Sequence, residues 1–294
     1  FERDGKKHRL QIFKTYPKGK PKGKRYALKD CLIYDEDDKM PDGDNKMAVN
    51  DNISGKGKIS EKNNDTKIYV VTHKDYEVVR NPLYEPITVG SFQKSDWIWE
   101  QDGKNISELN HKINECTAIY WMWKNSKAEI IGLNHYRRYF YNNELRCREN
   151  ILTEDTIRSV LKDYDMIVYK GRVPEDATIE EEMRWDLKPE VFDFGYDIIT
   201  RNISKFQPDY LNDFYGVMQE KECLYCNMFV AKKELFREYC QWLFSFLLPA
   251  AKEADVSGFD FHDERIIGFF AERMLTVWVR HNHIKIKPLP VFIP

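Results

Sequence analysis

From residue 67 onward, short apolar runs alternate with longer stretches in which apolar residues recur every three or four positions. Runs rich in β-branched and aromatic residues predict buried strands, and the amphipathic stretches predict helices. The predicted strands are 67–72, 129–133, 165–169, 225–231 and 284–286, and the predicted helices are 105–125, 153–162, 208–220, 232–248 and 263–280. This alternation predicts an α/β domain over residues 66–294, with a Rossmann-like, mixed and mostly parallel sheet flanked by helices.

Local signals predict where some of these helices begin and end. Asn105 followed three positions later by Glu108 is typical of a capping box, so we expect a helix to start there. Pro249 is expected to end the helix 232–248, because proline lacks the amide hydrogen that a helix interior needs. Residues 171–207 are polar and aromatic without a clear period, and we predict them to be irregular.

Residues 1–65 have a different character. Basic residues are concentrated in 6–25, acidic residues follow in 35–44, and no long apolar periodicity is present. Such a segment cannot bury enough surface to offset the entropy lost on ordering. We therefore predict a polar linker or tail that is largely disordered. The sharper alternative is that its basic run makes peripheral contact with the anionic inner surface of a membrane.

Charge and composition narrow the class of protein. The formal net charge is -2, whereas nucleic-acid-binding domains are usually strongly basic, so we expect no nucleic-acid partner. No apolar run approaches the roughly 18 residues that a membrane helix needs. Six cysteines are few for a disulfide scaffold, which favours a reduced, cytoplasmic setting. The close pair Cys223 and Cys226 has no second pair beside it, and we expect buried thiols there rather than a metal site.

Ligands of open α/β sheets bind beyond the carboxyl ends of the strands. That rule selects three loops: residues 72–75, residues 134–138, and the stretch around Cys226 and Asn227. Two guanidiniums, Arg137 and Arg138, can clamp a diphosphate or a carboxylate, and His135 can contact the ligand or orient it. The alternative, equally weighted from position alone, is a structural pair of arginines that binds acidic side chains or helix carbonyls.

A second group of candidates lies at the start of the last predicted helix. Asp263 and Glu264 suit the dipole of a first helical turn, and this structural explanation is weighted equally with a functional one. Glu264, Arg265 and Glu272 also share one helix face, on which a carboxylate can act as a general base. The sequence contains no P-loop, dinucleotide-binding glycine motif or nucleophile elbow, which disfavours those enzyme classes.

An ordered series of motifs resembles a known bacterial family. The motifs are VVTHK (70–74), PLYEPITVGS (82–91), DGKNISELN (102–110), YWMWKN (120–125), IIGLNHYRRYF (130–140), YDMIVYK (164–170), CNMFVAKKELFREYCQWLF (226–244) and RIIGFFAERMLTVWV (265–279). Together they are similar to the DUF4422-like family, first catalogued as a domain of unknown function, whose members occur among capsular and exopolysaccharide genes and are regarded as glycosyltransferases. The resemblance covers residues 67–291 and none of 1–65.

This resemblance implies a GT-A-like fold and a nucleotide-sugar donor, with a UDP-sugar expected, that passes a hexose to a glycan or lipid-linked acceptor. Typical GT-A enzymes hold Mn²⁺ or Mg²⁺ with a D-x-D motif, but here Asn134 to Arg138 stand at the matching place without a carboxylate. We therefore expect Arg137 or Arg138 to neutralise the diphosphate, and we assign no residue as a metal ligand. Binding of a divalent cation is the open alternative.

The residues implied to bind the donor come from all of these segments: Thr72, His73, Lys74, Asn105, Ser107, His135, Tyr136, Arg137, Arg138, Asn227 and Arg265. The residues implied to act in catalysis are Arg138, together with Glu264 or Asp263 as the base of an inverting attack. A non-catalytic module that binds nucleotide sugars or glycans is the alternative function. A glycoside hydrolase needs a pair of carboxylates flanking the bond, and the sequence does not single one out.

Overall fold

The computed structural model describes residues 2–3, 6–11, 32–35, 65–142 and 150–292, which fall into two compact units divided after Lys62. In the first unit, strands β1 (Glu2–Arg3), β2 (Lys6–Gln11) and β3 (Leu32–Asp35) form an antiparallel sheet. Most of the segment 1–65 lies outside the described residues. Its assignment as a largely disordered tail, and its contact with a membrane, therefore stay predictions.

The second unit is built on a seven-stranded sheet with the strand order β11-β9-β10-β7-β4-β5-β6. A separate two-stranded ribbon pairs β8 with β12. The strands are β4 (Thr66–Thr72), β5 (Tyr84–Thr88), β6 (Ile98–Trp99), β7 (Ile130–His135), β8 (Tyr139–Phe140), β9 (Met166–Arg172), β10 (Glu222–Lys232), β11 (Ile286–Pro288) and β12 (Val291–Phe292). This mixed, mostly parallel sheet confirms the predicted α/β fold.

One strand of the large sheet runs against the rest. β10 pairs antiparallel with both of its neighbours, β7 and β9, while all other pairs in the sheet are parallel. The carboxyl ends of β4, β5 and β7 therefore lie at the same edge as the amino-terminal half of β10. The central strands β4 and β7 are buried along almost their whole length, as expected for strands covered on both faces.

Helices cover the sheet and supply an aromatic-rich core. They are α1 (Asn110–Ile113), α2 (Cys116–Asn125), α3 (Glu154–Val160), α4 (Ile179–Asp186), α5 (Pro189–Phe206), α6 (Leu211–Met218), α7 (Lys233–Glu253) and α8 (Ile266–His281). Three fully buried phenylalanines come from three different helices: Phe192, Phe214 and Phe270. The ring centroid of Phe270 lies 5.4 Å from that of Phe192 and 6.5 Å from that of Phe214. Within residues 65–142 and 150–292, no helix combines the length and apolarity that a membrane crossing requires.

Residues 171–207 are not irregular, and that prediction was wrong. They contain α4, which starts with a capping box between Thr178 and Glu181, and α5, which starts with Pro189 at a favourable first position. The buried face of α5 includes Gly195 and Asn202 beside its apolar residues. Those two residue types interrupt the apolar stripe in the sequence, although the spacing of the buried positions is helical.

Two predicted helix boundaries also differ from the structure. The helix expected over 105–125 is a 3-10 turn (Ser107–Leu109) followed by α1 and α2, separated by Asn114 at φ 50°. Asn105 forms no capping box; its side-chain oxygen instead accepts hydrogen bonds from the backbone and hydroxyl of Ser107. Helix α7 continues through Pro249 to Glu253. Beyond Pro249, Lys112 donates hydrogen bonds to the carbonyls of Ala251 and Ala254 at 3.1 and 2.6 Å, which satisfies acceptors at the end of the helix.

The packing of α5 against α8 depends on Gly195. A Cβ at this position would lie 2.8 Å from Cε2 of Phe270 and closer still to Ile266. We expect Gly195→Ala to lower the free energy of unfolding by about 1–3 kcal/mol, because the buried contact is overpacked. The matched control is Gly258→Ala, since no atom lies within 4 Å of a Cβ built there. Chemical denaturation of both variants tests this; equal stability of the two would contradict the packing argument.

Candidate functional site

A cavity of about 890 Å³ opens at the sheet edge where the predicted ligand loops meet. This volume is within the range of small-molecule sites. Its wall is formed by residues that follow β4, β5 and β7, by the bulge of β10, and by the helical segments α1 and α8. The charged and aromatic side chains of that wall are His73, Lys74, His111, Glu115, His135, Tyr136, Arg137, Arg138, Phe261, Arg265, Phe269 and Glu272.

All three predicted loops reach this cavity, but the third does so for a different reason. Residues after β4 and β7 are at the ligand edge because those parallel strands end there. Cys226 is in the interior of β10, and it reaches the same edge because β10 runs in the opposite direction. The direction of β10 was not evident from the apolar run 225–231.

A backbone bulge interrupts β10 at this point. The pairing register with β9 shifts between Leu224 and Phe229, and both Cys226 and Asn227 have left-handed φ angles of 65° and 50°. Non-glycine residues in this conformation cost of order 1–3 kcal/mol each, and persist only where surrounding contacts fix them. Bulges of this kind often re-aim side chains next to a functional site.

Four hydrogen bonds from three elements fix the bulge. Glu272 of α8 accepts from the backbone N–H of Cys226 at 2.5 Å, and Thr276 one turn later accepts from Leu224 at 3.0 Å. The Asn227 amide donates to Glu115, between α1 and α2, at 2.8 Å. The fourth bond joins Nε2 of His135 to the carbonyl of Cys226 at 2.7 Å. Strand, bulge and helices therefore form one connected network.

The bond to Cys226 also fixes the state of His135. A carbonyl oxygen only accepts, so Nε2 of His135 carries the proton and Nδ1 is left as an acceptor. Burial lowers the pKa of His135 below its ordinary value, an effect only partly offset by Glu115. His135 is therefore a neutral imidazole at pH 7, held in one tautomer.

Positive charge dominates the cavity. Lys74, Arg137, Arg138 and Arg265 line it, and none of the four forms an ion pair with a carboxylate in the part of the chain described. By contrast, arginines elsewhere, such as Arg201, are ion-paired. The Nε of Arg138 is buried and has no hydrogen-bond partner among the described residues. Such an arrangement suits a ligand that brings its own negative charges.

Burial and the same positive charges lower the pKa of the neighbouring His73. Partial burial is the largest cause that lowers its pKa, and the charges of Lys74, Arg265 and Arg137 lower the pKa further. Tyr136 holds this group together, because its ring lies 5.2 Å from the Lys74 ammonium and 5.5 Å from the Arg137 guanidinium. A buried aromatic ring therefore keeps two cations beside one another.

Two carboxylates line the cavity, Glu115 and Glu272. Both oxygens of Glu272 are engaged, one by Cys226 and the other by Arg273 at 2.9 Å. Glu115 uses one oxygen for the amide of Asn227. Sequence reasoning placed Glu272 on the correct helix face but missed Glu115, because nothing in the pattern of 105–125 indicated the break at Asn114.

The structure brings together most, but not all, of the predicted site residues. The predicted residues that line the cavity are His73, Lys74, Ser107, His135, Tyr136, Arg137, Arg138 and Arg265. Thr72 is buried beneath it and donates its hydroxyl proton to the carbonyl of Lys74 at 2.7 Å. Asn105 donates hydrogen bonds within its own loop, and Asn227 is a buried residue of the bulge itself. Glu264 and Asp263 are not lining residues; Asp263 is buried in an ion pair with Lys188 at 2.7 Å.

Among the described residues, no group of three potential metal ligands lies in the cavity wall. Asn134, at the place of a D-x-D motif, is fully buried beneath the surface and is not a lining residue. Within the described ranges, one group of three potential ligands, Asp260, His262 and Asp263, has its donor atoms within 4.8 Å of one another. The Lys188 ammonium already binds both carboxylates of this group, at 3.2 Å from Asp260 and 2.7 Å from Asp263.

A further carboxyl supports the rim of the cavity. Glu100 is fully buried, and one of its oxygens accepts a hydrogen bond from the N–H of Gly90 at 2.7 Å. Gly90 lines the cavity and has a φ of 68°, which favours glycine. Burial raises the pKa of Glu100 to about 7. The loop after β5 is therefore held by a group that titrates near neutrality.

Comparisons with known proteins agree with this architecture. The family model described as "Domain of unknown function (DUF4422)" matches residues 67–283. Among solved structures, the apo structure of the WbbM bifunctional glycosyltransferase is similar, with a TM-score of 0.66 and 24% sequence identity. The match covers 77% of this chain and 45% of that one, so this chain spans less than half the length of WbbM. At this identity the likeness shows the fold. No match was found among curated proteins.

The raised pKa of Glu100 predicts how stability depends on pH. Because the folded pKa lies above the usual 4.5, the neutral carboxyl is favoured in the fold, and stability is lost as pH rises from 4.5 through 7. We expect Glu100→Gln to become more stable than the wild type by up to about 3 kcal/mol between pH 5 and pH 8. Urea denaturation across this range measures the difference. Glu238→Gln, on the exposed face of α7, is the control; the same pH response in both variants would refute the assignment.

Proposed function

The chain belongs to the DUF4422 family, and we propose that it is a glycosyltransferase. The proposed reaction moves a hexosyl group from a nucleotide sugar, with a UDP-sugar as the first candidate, to a glycan or lipid-linked acceptor in bacterial surface polysaccharide synthesis. The fold shared with the WbbM bifunctional glycosyltransferase supports this reading. The same proposal locates the protein in the cytoplasm, with peripheral contact at the inner membrane surface and no nucleic-acid partner.

One observation carries the proposal. Four cations line a cavity at the ligand edge of the sheet without an ion-pair partner among the described residues. Concentrating like charges is unfavourable unless a ligand neutralises them, and a nucleoside diphosphate supplies two or more negative charges. The cavity, at about 890 Å³, has room for the nucleotide and a sugar ring together.

In this proposal the arginines do the work that a divalent cation does in typical GT-A enzymes. When the bond between the anomeric carbon and the phosphate oxygen breaks, negative charge develops on the leaving diphosphate. Arg138, with its unpartnered Nε, and Arg137 beside it can bind phosphate oxygens through directed hydrogen bonds. Lys74 and Arg265 add charge from the two sides of the cavity. Stabilising the leaving group lowers the barrier directly.

An inverting transfer also needs a base. A new bond forms between the acceptor oxygen and the anomeric carbon, and the hydroxyl proton passes to the base. Of the cavity carboxylates, Glu272 is committed to Cys226 and Arg273, whereas Glu115 has one oxygen engaged by Asn227. We therefore assign the base to Glu115 and a positioning role to Glu272. Glu264 and Asp263, expected from the sequence, lie off the cavity wall.

We predict that a nucleoside diphosphate raises the melting temperature and that Arg138 is needed for it. UDP, GDP, CMP and dTDP are screened by thermal shift, with Mn²⁺ and with EDTA. We expect one diphosphate to stabilise the wild type equally in EDTA, because arginine rather than a metal binds the phosphates. Arg138→Ala should weaken that binding at least about tenfold, consistent with the loss of a charge-assisted bond.

The control for this experiment is Arg237→Ala, which removes an exposed arginine of α7 outside the cavity. Undiminished nucleotide binding by Arg138→Ala would refute the phosphate assignment. Stabilisation that requires Mn²⁺ would restore the metal alternative. Nucleotide binding without transfer to any acceptor would favour a binding module instead.

The assignment of the base is tested by two matched substitutions. Glu115→Gln keeps an oxygen that can accept from Asn227 but cannot take a proton at neutral pH. We expect transfer to fall at least about a hundredfold while the thermal shift with nucleotide is retained. Glu264→Gln, off the cavity wall, is expected to keep its activity. Release of the nucleotide in the presence of octyl hexosides measures transfer; an active Glu115→Gln with an inactive Glu264→Gln would reverse the assignment.

A further inference from the structure

Phe261 is an unusual member of the cavity wall. It is 80% exposed, whereas the next most exposed large apolar side chain among the described residues, Trp185, is 47% exposed. Large aromatic side chains normally bury most of their surface, because water contact is unfavourable for them. A fully presented phenyl ring at the mouth of a cavity is therefore a feature that requires an explanation.

The loop that carries Phe261 is braced on both sides of it. The ring of Phe259 packs edge-to-face on Phe194 of α5, with the centroids 5.2 Å apart. Asp260 accepts hydrogen bonds from the backbone N–H groups of His262 and Asp263, both at 3.0 Å. Lys188, at the start of α5, forms ion pairs with the carboxylates of Asp260 and Asp263. The exposure of Phe261 is thus imposed by ordered neighbours rather than by a loose loop end.

The cavity has a second aromatic ring on the same side. Phe269 of α8 is half-buried, also lines the cavity, and contacts the ring of His262 at 5.1 Å. Phe261 and Phe269 come from the loop and helix that follow α7. Lys74, Arg137 and Arg138 come from the loops after β4 and β7. Three of the four cavity cations thus come from the strand-end loops, whereas both phenyl rings come from the segment around the start of α8. That segment also carries Arg265, whose guanidinium lies 5.3 Å from the Phe269 ring.

We propose that Phe261 is the platform on which a sugar ring of the acceptor stacks; this inference rests on the proposed glycosyltransferase function. A pyranose ring has one face of C–H groups, and that face gains from leaving water against an aromatic ring. The charged part of the donor belongs with the cations. Phe261, the most exposed ring of the wall, meets the substrate whose remaining chain continues into solvent. A phenyl ring makes no hydrogen bond, so this contact selects for ring shape rather than for a particular hydroxyl.

The test compares Phe261→Ala, Phe261→Trp and the control Phe206→Ala, which removes a partly exposed phenyl ring of α5 outside the cavity. Each variant is assayed for nucleotide affinity by thermal shift. Each is then assayed for transfer from the matching nucleotide hexose to octyl glucoside, octyl galactoside and octyl mannoside. We expect Phe261→Ala to raise the acceptor KM about tenfold or more, while its nucleotide affinity stays within about twofold of the wild type. Phe261→Trp retains the stacking face and should keep the wild-type KM.

Three results would overturn the inference. An unchanged acceptor KM in Phe261→Ala removes the platform. A loss of nucleotide affinity in that variant places Phe261 at the donor base instead. An equal rise in KM for Phe206→Ala makes the effect nonspecific. Failure of the wild type to bind any nucleotide or to transfer to any acceptor is a different result, since it contradicts the proposed function itself.

Discussion

The cavity depends on the bulge of β10, where two consecutive non-glycine residues adopt left-handed backbone angles. This strain is offset by Glu272, Glu115 and His135, each of which bonds to the bulge and also lines the cavity. Three of the polar side chains in the cavity wall therefore also stabilise the strained backbone. Such sharing fixes their positions before any ligand arrives, and preorganised groups need little rearrangement during a reaction.

A buried charge network supports the bulge from behind. Arg273 is almost fully buried, bonds to Glu272 at 2.9 Å, and lies 3.6 Å from Glu182, which accepts from the hydroxyl of Tyr225. Removing one member of a buried ionic group usually costs several kcal/mol, because its partners are left buried and uncompensated. The carboxylate of Glu272 is thus held in place by a cation that does not line the cavity. Behind the bulge Arg273 is ion-paired with Glu272 and Glu182, whereas the four cations of the cavity form no ion pair among the described residues.

Sequence patterns were sufficient for the parts of this site that follow from strand ends. Apolar runs located β4 and β7, and the rule that ligands bind at carboxyl ends then selected His73, Lys74, Arg137 and Arg138. Features set by long-range contacts were not accessible in this way. Glu115 lines the cavity next to the break between α1 and α2 at Asn114. The side-chain oxygen of Asn114 accepts a hydrogen bond from Arg265, 151 positions later in the sequence. The direction of β10 depends on its pairing with β7 and β9, and no local pattern encodes that choice.

The position of Gly268 has a consequence for how this scaffold can diversify. A Cβ built there would clash with the side chain of Asn114 at the break between α1 and α2, so α8 packs directly against that break.

 The loop from Asp255 to His262 is less tightly packed than Gly268, because no atom lies within 4 Å of a Cβ built at Gly258. Lys188 binds this loop only near α8, through Asp260 and the adjoining Asp263. Residues around Gly258 are therefore more tolerant of change than Asp260 and Asp263 near the start of α8, which are hydrogen-bonded to one another and ion-paired with Lys188. The scaffold thus joins a side fixed by the packing of α8 on Asn114 to a loop that can vary without disturbing that packing.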